Sequence, residues 1–362
     1  MQKYKYNILY VTSVKLDSTA AQSKQVKSMC ETFFQLKKDH FRAIVGGNKK
    51  LPSYYINVGQ NFRLLKCCAW SLFFSLKNSI KEKQKTLVYT RNIAIHVFAI
   101  LVGITSIYEF HHLPQKKYLK LIFCIFANFS LGKYVSISYS LKKELMSQFK
   151  FKTDDILVAH DGVDLTVKIN PDFSSEIQKF ILKKKDKNVR IILHTGSLYK
   201  GGSELFPFLL SNGFEVVHIG GNKHELKILK EKYSKNQING IHLFETVSRY
   251  EARQLQFIAD ALFYVNPRKS PYYNYTSPLK LFEYMATMVP IICSRGGATD
   301  EIVDENCVEF FYETDPSSLN GVMSKLLNSK KSLKKAKNAY THVSKNFTWH
   351  IRVQKIMRFI VK

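Results

Sequence analysis

The fold of this chain is indicated by three adjacent segments: S-P-L-K-L-F-E-Y-M-A at 277–286, V-P-I-I-C-S at 289–294 and a glycine pair at 296–297. Serine is favoured at a helix N-cap and proline at the first helical position, so the sequence predicts a helix that begins at Ser277. Backbone N–H groups and the positive end of the helix dipole would face a ligand there. The segments therefore predict a phosphate site at a helix N-terminus, followed by a buried strand.

A rotation of about 100° per residue divides this helix into two faces. Lys280, Glu283, Tyr284 and Thr287 fall on one side. Apolar residues fill the other side: Leu279, Leu281, Phe282, Met285 and Ala286. The pattern predicts one face that packs and one that binds a ligand, although an ordinary amphipathic helix with a surface Lys/Glu pair would look the same.

Short apolar runs alternate with longer helical patterns through the whole chain, which favours parallel sheets flanked by helices. The predicted strands are Asn7–Ser13, Ala43–Val45, Leu87–Tyr89, Thr105–Phe110, Tyr134–Ile137, Arg190–His194, Glu215–Ile219, Ile241–Phe244, Ala261–Val265 and Pro290–Ser294. A lysine-rich segment at 183–188 separates the two series, so the domain junction is predicted between 166 and 187. In such sheets, ligands bind beyond the carboxyl ends of the strands.

The composition sets limits on the class of protein. With 362 residues and 45% hydrophobic content, the chain is long and apolar enough for two cores. The six cysteines have no metal-ligand spacing and are expected to be reduced thiols. No apolar run reaches the roughly 18 to 20 residues that cross a bilayer, and no secretory signal is recognised. We therefore expect a cytoplasmic protein.

The segment from Tyr264 to Val303 resembles the nucleotide-sugar signature of family 4 glycosyltransferases, in which S-P-x-K-x-x-E precedes a G-x-P-I/V-V strand, a glycine turn and a further Glu. The resemblance implies a GT-B fold, which is α/β with two doubly wound Rossmann-like domains and a cleft between them. It implies an N-terminal acceptor-binding domain at 1–170 and a C-terminal nucleotide-sugar domain at 187–346. A closing helix at 347–362 would pack back on the N-terminal domain.

The same resemblance implies the reaction. The enzyme would transfer a sugar, with retention of configuration, from a UDP or GDP donor to a glycan or lipid-linked glycan in bacterial surface polysaccharide synthesis. No cofactor and no metal ion are expected. A non-catalytic glycosyltransferase-like subunit that binds a membrane or a partner enzyme is the alternative.

On the donor side, the resemblance gives Lys280 a role in neutralising the diphosphate and Glu283 a role in holding the ribose. Further donor contacts would come from Gly196, Ser197, Lys200, Asn274, Tyr275, Thr276, Ser277, Pro278, Leu279 and Glu301. Two positions depart from the family pattern: Ser197 stands where an Arg is usual, and Tyr275 stands where a first Glu is common.

On the acceptor side, polar residues follow the predicted strands of the N-terminal domain. The resemblance implies that His111 is the counterpart of the family histidine that contacts the transferred sugar, with an ordinary structural histidine as the alternative. Arg91 and Glu109 would line the same region, and Ser18 lies in the first strand-to-helix loop, which would face the acceptor.

The formal charge of +27 implies an anionic partner. Only ten of the 55 basic residues are Arg, and no nucleic-acid-binding module is recognised, so nucleic acid is not expected. The segment 61–85 mixes lysines with Trp70, Phe73 and Phe74, and Lys116, Lys117 and Lys120 lie beyond His111. These clusters suit the anionic inner face of the cell membrane, although for 61–85 a buried helix with a solvated lysine face would look alike.

Overall fold

The computed structural model describes residues 6–16, 21–46, 52–58, 63–81, 85–127, 129–149, 151–197, 201–211, 213–235 and 238–361. Contacts within the chain divide it into two compact units. The N-terminal unit comprises 1–161, 275–277 and 349–362, and the C-terminal unit comprises 162–274 and 278–348. Two short segments therefore lie with the N-terminal unit although they follow much of the C-terminal unit in sequence.

The N-terminal unit is built on a seven-stranded parallel sheet with the order β3-β2-β1-β4-β5-β6-β7. Its strands are β1 Tyr6–Lys15, β2 Phe41–Gly46, β3 Tyr55–Asn57, β4 Lys85–Thr90, β5 Thr105–Phe110, β6 Gly132–Ser136 and β7 Ile156–Val158. The central strands are buried on both faces, which is why they appear in the sequence as nearly continuous apolar runs.

The helices of this unit are α1 Ala21–Lys37, α2 Arg63–Lys81, α3 Ile93–Leu101, α4 Lys117–Phe126, α5 Tyr139–Phe149 and, at the end of the chain, α12 Trp349–Val361. The start of α3 is fixed by the Asn92 side chain, which accepts from the backbone N–H groups of Ala94 and Ile95 at 3.0 and 3.4 Å. Helix α12 packs against α1. Among the helices of the described ranges, none is long and apolar enough to span a membrane.

The C-terminal unit is built on a six-stranded parallel sheet with the order β10-β9-β8-β11-β12-β13. Its strands are β8 Arg190–Thr195, β9 Phe214–Ile219, β10 Ile241–Phe244, β11 Ala261–Tyr264, β12 Ile291–Ser294 and β13 Glu309–Phe311. Its helices are α6 Glu176–Lys185, α7 Lys223–Lys235, α8 Arg249–Ile258, α9 Leu279–Met285, α10 Ser318–Leu326 and α11 Ser329–Asn346. Buried apolar clusters cover both faces of this sheet.

The α/β class and the two doubly wound sheets are confirmed, and each of the ten predicted strands is present with small differences at its ends. Three strands were not predicted: β3, β7 and β13. Each has three residues and lies at the outer edge of its sheet. A run of three residues is too short to show the periodicity from which strands are predicted.

Candidate functional site

Both sheets have a point at which the strand order reverses, between β1 and β4 in the first and between β8 and β11 in the second. Loops that leave neighbouring strands on opposite sides of such a point open a crevice that binds ligands. Gly196 directly follows β8, and Val265 and Asn266 directly follow β11. The predicted glycine-rich turn therefore lies at the position where the topology of the C-terminal sheet favours a ligand.

Lys280 lies against the backbone of Gly196. The ammonium nitrogen of Lys280 is 2.5 Å from the position that a Cβ of Gly196 would take, and Gly196 has a φ of +131°. A side chain at this position would displace the flexible end of the lysine, and the positive φ is a backbone conformation that favours glycine. Two residues predicted from separate motifs, Gly196 and Lys280, are thus brought together.

The N–H of Gly196 donates to the carbonyl of Ile219 at 2.9 Å. Any N–H groups of this turn that bind a ligand must therefore come from residues after Gly196. The side chain of Ser197 is half-buried at the start of that stretch. Lys200, the second predicted cation of the turn, lies outside the described residues.

A pair of buried histidines lies beneath the turn. His194 Nδ1 is 2.9 Å from His218 Nδ1, and His218 Nε2 donates to the carbonyl of Gly220 at 3.1 Å. Burial and the positive charge of Lys280 lower the pKa of His218 to about 4 and hold the pKa of His194 well below its usual value. With both rings neutral, the His218 hydrogen is on Nε2, so His194 Nδ1–H donates to His218 Nδ1. This pair was not singled out from the sequence.

The predicted start of the motif helix is wrong. Helix α9 begins at Leu279, with Pro278 at the N-cap and no side-chain capping bond. The hydroxyl of Ser277 is buried and instead accepts from the backbone N–H of Asp161 at 2.7 Å. Because that oxygen binds a backbone group of the N-terminal unit, it does not cap the helix.

Tyr284 and Thr287 do not lie on a ligand-facing surface as predicted, because both are buried. The Tyr284 hydroxyl accepts from the backbone N–H of Thr195 at 3.0 Å and is 3.1 Å from the Thr195 hydroxyl. It therefore fastens α9 to the end of β8, one residue before Gly196. Of the four residues predicted to face a ligand, Lys280 and Glu283 remain partly exposed.

Glu283 is already held by an arginine that was not predicted. Its Oε1 accepts from Nε and Nη2 of Arg249 at 3.0 and 2.8 Å, which is a two-point contact. The buried guanidinium of Arg253 donates to the backbone carbonyl of Glu283, and burial lowers the pKa of Arg253. Both arginines lie on α8 at i and i+4, just after the N-cap Ser248. That spacing places both arginines on one face of α8, and it is the feature of the sequence from which their common role could have been predicted.

The predicted donor segment 274–279 is shared between the two units. Asn274 is exposed and belongs to the C-terminal unit, whereas Tyr275, Thr276 and Ser277 belong to the N-terminal unit. Tyr275 packs on the cluster formed by β5, β6, α4 and α5, and its carbonyl accepts from the Ser138 hydroxyl at 3.3 Å. Pro278 is buried and Leu279 is half-buried.

The predicted glycine turn after β12 packs tightly against Tyr273. The Tyr273 hydroxyl is 2.1 Å from the position that a Cβ of Gly296 would take, and Gly296 has a φ of +107°. The Asn266 amide donates to the carbonyl of Tyr273 at 3.0 Å, so the loop after β11 is fixed to this turn. Glu301, at the end of the short 3₁₀ helix Gly297–Glu301, is half-buried.

In the N-terminal unit, a buried network joins the ends of β4 and β5 to α12. Arg352 of α12 is 2% exposed, with Nη2 at 3.0 Å from Oε2 of Glu109 and Nη1 at 3.2 Å from Oδ1 of Asp161. Tyr89 also donates to Oε2 of Glu109. Glu109 is therefore buried with its carboxylate engaged, and Arg352 and Asp161 are network members that were not predicted as site residues.

His111 contacts this network through Glu109. Nε2 of His111 is hydrogen-bonded to Oε1 of Glu109, and the His111 side chain is 15% exposed. Burial and the nearby Arg91 lower the pKa of His111 to about 4 against the influence of Glu109. Arg91 is half-buried and donates to the Gln25 side chain at 3.1 Å. Ser18 lies outside the described residues.

Comparison with known proteins shows the fold. No protein-family model matches the sequence, and no curated protein matches it either. Among solved structures, a glycosyltransferase from Rickettsia africae has a TM-score of 0.73 at 18% identity, over 99% of this chain and 100% of that chain. HepE from Anabaena, solved with UDP, has a TM-score of 0.71 at 14% identity, over 98% of this chain and 99% of that chain.

The glycosyltransferase WaaG, involved in lipopolysaccharide biosynthesis, has a TM-score of 0.62 at 14% identity, over 98% of this chain and 99% of that chain. The fold is GT-B. The likeness to GT-B proteins extends over nearly the whole of both chains, so it includes both Rossmann-like units. The GT-B fold predicted from the signature at 277–301 is thereby confirmed, and within it the Gly196–Lys280 contact lies at the switch point of the second sheet.

Replacing Tyr284 by Phe tests how α9 is fastened to the glycine turn. The substitution leaves the buried N–H of Thr195 without its acceptor, so we expect the free energy of unfolding to fall by about 1–3 kcal/mol. Chemical denaturation followed by circular dichroism measures this loss. The matched variant Tyr312→Phe, at an exposed tyrosine of the same unit, should change stability by less than about 0.5 kcal/mol. Equal stability of the two variants would show that the Tyr284 hydroxyl does not anchor the helix.

Proposed function

We propose that the protein is a retaining glycosyltransferase that binds a nucleotide diphosphate-sugar at the junction of β8 and α9. The donor would be a UDP- or GDP-sugar and the acceptor a glycan or lipid-linked glycan of a bacterial surface polysaccharide. The reaction would take place in the cytoplasm. The observation that carries this proposal is the contact between Lys280 and the backbone of Gly196 at the switch point of a GT-B fold.

The electrostatics of this junction favour an anion. Lys280 supplies a positive charge at this junction, and it lies close to two buried imidazoles whose low pKa values keep them neutral. Gly196 has no side chain, so a ligand can approach its backbone closely. HepE, which has the same fold, was solved with UDP and with UDP-glucose, and this likeness supports UDP as the first nucleotide to test.

The proposed chemistry uses side chains and backbone groups of the chain itself. The bond between the anomeric carbon and the diphosphate oxygen breaks, and the acceptor hydroxyl oxygen bonds to the same face of the sugar. The acceptor proton passes to the departing phosphate oxygen. Negative charge accumulates on the diphosphate in the transition state, and Lys280 stabilises it from a fixed position. No cofactor is assigned to this step.

The roles of Lys280 and Glu283 are separated by measuring the binding of UDP and of uridine to the wild-type protein, to Lys280→Ala and to Glu283→Ala. Lys280→Ala should weaken UDP binding by about tenfold to a hundredfold, as expected for a charge-assisted hydrogen bond, and leave uridine binding unchanged. Glu283→Ala should weaken both ligands, because the proposed contact is to the ribose. Isothermal titration calorimetry gives the affinities, and a thermal shift of the wild-type protein provides a first screen that includes GDP.

The controls for this experiment are Lys334→Ala and Glu231→Ala, which remove exposed side chains of α11 and α7 in the same unit. They should bind UDP as the wild type does. Equal loss of UDP and uridine binding in Lys280→Ala would contradict the diphosphate role. If neither UDP nor GDP binds the folded wild-type protein, the donor site is refuted and the non-catalytic subunit becomes the better hypothesis.

We further propose that the N-terminal unit attaches to an anionic membrane through α2 and α4. The outer face of α4 carries Tyr118, Leu121 and Ile125, which are 57%, 61% and 55% exposed and lie at helical spacing. Lys116, Lys117 and Lys120, also exposed, lie at the N-terminal end of this stripe. Apolar side chains beside lysines are the composition of an interfacial helix.

Helix α2 has a similar outer face. Exposed apolar residues recur along its full length: Leu65, Phe73, Leu76 and Ile80. Its inner face buries Cys67 and Ser71, and Cys68 and Phe74 pack beside them, so the helix contacts the sheet through other residues. The outer face of α2 therefore carries apolar side chains as well as lysines, unlike a buried helix whose exposed face is covered by lysines alone. The exposed Lys66 and Lys77 contribute positive charge.

The two helices cover the same face of the seven-stranded sheet. Cys67 of α2 packs with Val88 of β4, and Phe123 of α4 packs with Phe110 of β5. Val88 pairs with Ser106 in the parallel register, and Ser106, Tyr108 and Phe110 project to one side because side chains alternate along a strand. The outer faces of α2 and α4 consequently point to the same side of the unit, as contact with one membrane surface requires.

Co-sedimentation with lipid vesicles tests the membrane proposal. The wild-type protein should bind vesicles that contain phosphatidylglycerol and bind pure phosphatidylcholine weakly, because each lysine near an anionic surface contributes about 1 kcal/mol. Leu121→Glu combined with Ile125→Glu should abolish most of the binding. The matched variant Leu333→Glu, at an exposed leucine of α11 in the C-terminal unit, should bind as the wild type does. Equal binding by all three proteins would exclude α4 as the membrane contact.

A further inference from the structure

Glu109 of the N-terminal unit was predicted as an acceptor contact, but its surroundings suit a different task. It is 4% exposed, and its two carboxylate oxygens have separate partners. Oε1 accepts from His111, while Oε2 faces Arg352 at 3.0 Å and accepts from Tyr89. The carboxylate therefore connects the buried guanidinium on α12 to the partly exposed imidazole after β5.

We propose that Glu109 is a positioning residue that fixes His111 as the tautomer with its hydrogen on Nε2, and that Arg352 fixes the orientation of Glu109. The inference rests on the proposed function, in which His111 contacts the transferred sugar. In that contact, His111 presents Nδ1, a hydrogen-bond acceptor, to a sugar hydroxyl.

The charge states of the network support this assignment. Burial raises the pKa of Glu109, but Arg352, His111 and Arg91 outweigh it and hold the pKa well below its usual value. Glu109 is thus ionised at neutral pH and can only accept hydrogen bonds. His111, whose pKa is about 4, is neutral and has a single ring hydrogen. That hydrogen must lie on Nε2 to serve Glu109, which leaves Nδ1 with a lone pair.

Arg352 determines which group beside it must accept a hydrogen bond. A guanidinium has donors and no acceptor, so the group that faces it must accept. Nη1 of Arg352 also faces Asp161 and donates to the carbonyl of Ala159, so this nitrogen is held by two groups. Burial raises the pKa of Asp161 to about 6 even beside this guanidinium, so Glu109, whose pKa is held low, is the carboxylate that stays ionised when the pH falls below that value.

The decisive variant is Glu109→Gln, which keeps the shape and removes the charge. Because Arg352 can only donate, the glutamine oxygen must face Arg352 and its NH₂ group must face His111. The NH₂ group needs an acceptor, so His111 Nε2 would lose its hydrogen and Nδ1 would gain it. The substitution is therefore expected to invert the tautomer and to turn the proposed acceptor atom into a donor.

Two-bond proton–nitrogen NMR spectra of protein labelled with ¹⁵N-histidine report the tautomer directly, and the spectrum of His111→Asn identifies the His111 signals. We expect hydrogen on Nε2 in the wild type between pH 5 and 8, and hydrogen on Nδ1 in Glu109→Gln. The control Glu31→Gln, at an exposed residue of α1, should keep the wild-type spectrum. A wild-type His111 that is charged at pH 7, or has its hydrogen on Nδ1, would overturn the proposal even if no variant folds.

The kcat of the Glu109→Gln variant distinguishes a positioning role of Glu109 from a purely structural one. Glu109→Gln should lower the kcat for hydrolysis or transfer of the donor sugar by about tenfold or more, as expected when a substrate hydrogen bond is lost and two donors face each other. UDP affinity should stay unchanged, because UDP has no transferred sugar. Unchanged kcat with an inverted tautomer would refute the positioning role. Failure of the wild-type protein to bind either UDP or GDP would refute the proposed function instead, while the NMR result would still decide the tautomer.

Discussion

The close approach of Lys280 to the backbone of Gly196 is the constraint on which the C-terminal unit depends. It depends on a glycine after β8, which has a φ of +131° and leaves room for the ammonium group. It also requires α9 to be held over the end of that strand, and the buried hydroxyl of Tyr284 does so by accepting from Thr195. The cation is thereby positioned at the switch point of the sheet, above two histidines that burial keeps neutral. A positive charge at a helix start, beside a glycine, would suit the binding of a diphosphate.

The N-terminal unit follows a different principle, because its charges are buried and balanced. Arg352 reaches the ends of the strands from the last helix of the chain and faces two carboxylates, Glu109 and Asp161. A buried ion pair is weak evidence for stability, since desolvation offsets much of the attraction. The ion pair matters here because it fixes the hydrogen bonds. The carboxylate of Glu109 can only accept and the guanidinium of Arg352 can only donate, so His111 has a single way to bond to Glu109. Helix α12 thus contacts the Glu109–His111 pair through Arg352.

The sequence allowed the fold to be predicted because strands buried on both faces appear as apolar runs, such as 190–195, and because the motif at 277–286 is distinctive. The short outer strands β3, β7 and β13 had no such signal. Contacts distant in sequence were also missed. The hydroxyl of Ser277 binds the backbone of Asp161 and so does not cap α9, and Arg249 reaches Glu283 from another helix. Arg352 was not predicted because an arginine in an amphipathic terminal helix usually faces solvent. Local patterns predict local structure, whereas these side chains are placed by tertiary contacts.

A crystal structure of the protein with UDP bound tests the central claim most directly. We expect density for the diphosphate at the glycine turn after β8, with a β-phosphate oxygen about 2.7–3.2 Å from Nζ of Lys280 and the ribose beside Glu283. Movement of Arg249 away from Glu283 would agree with this result. UDP bound elsewhere in the chain, or bound with Lys280 turned away from the phosphates, would contradict the account and assign another function to the Gly196–Lys280 contact.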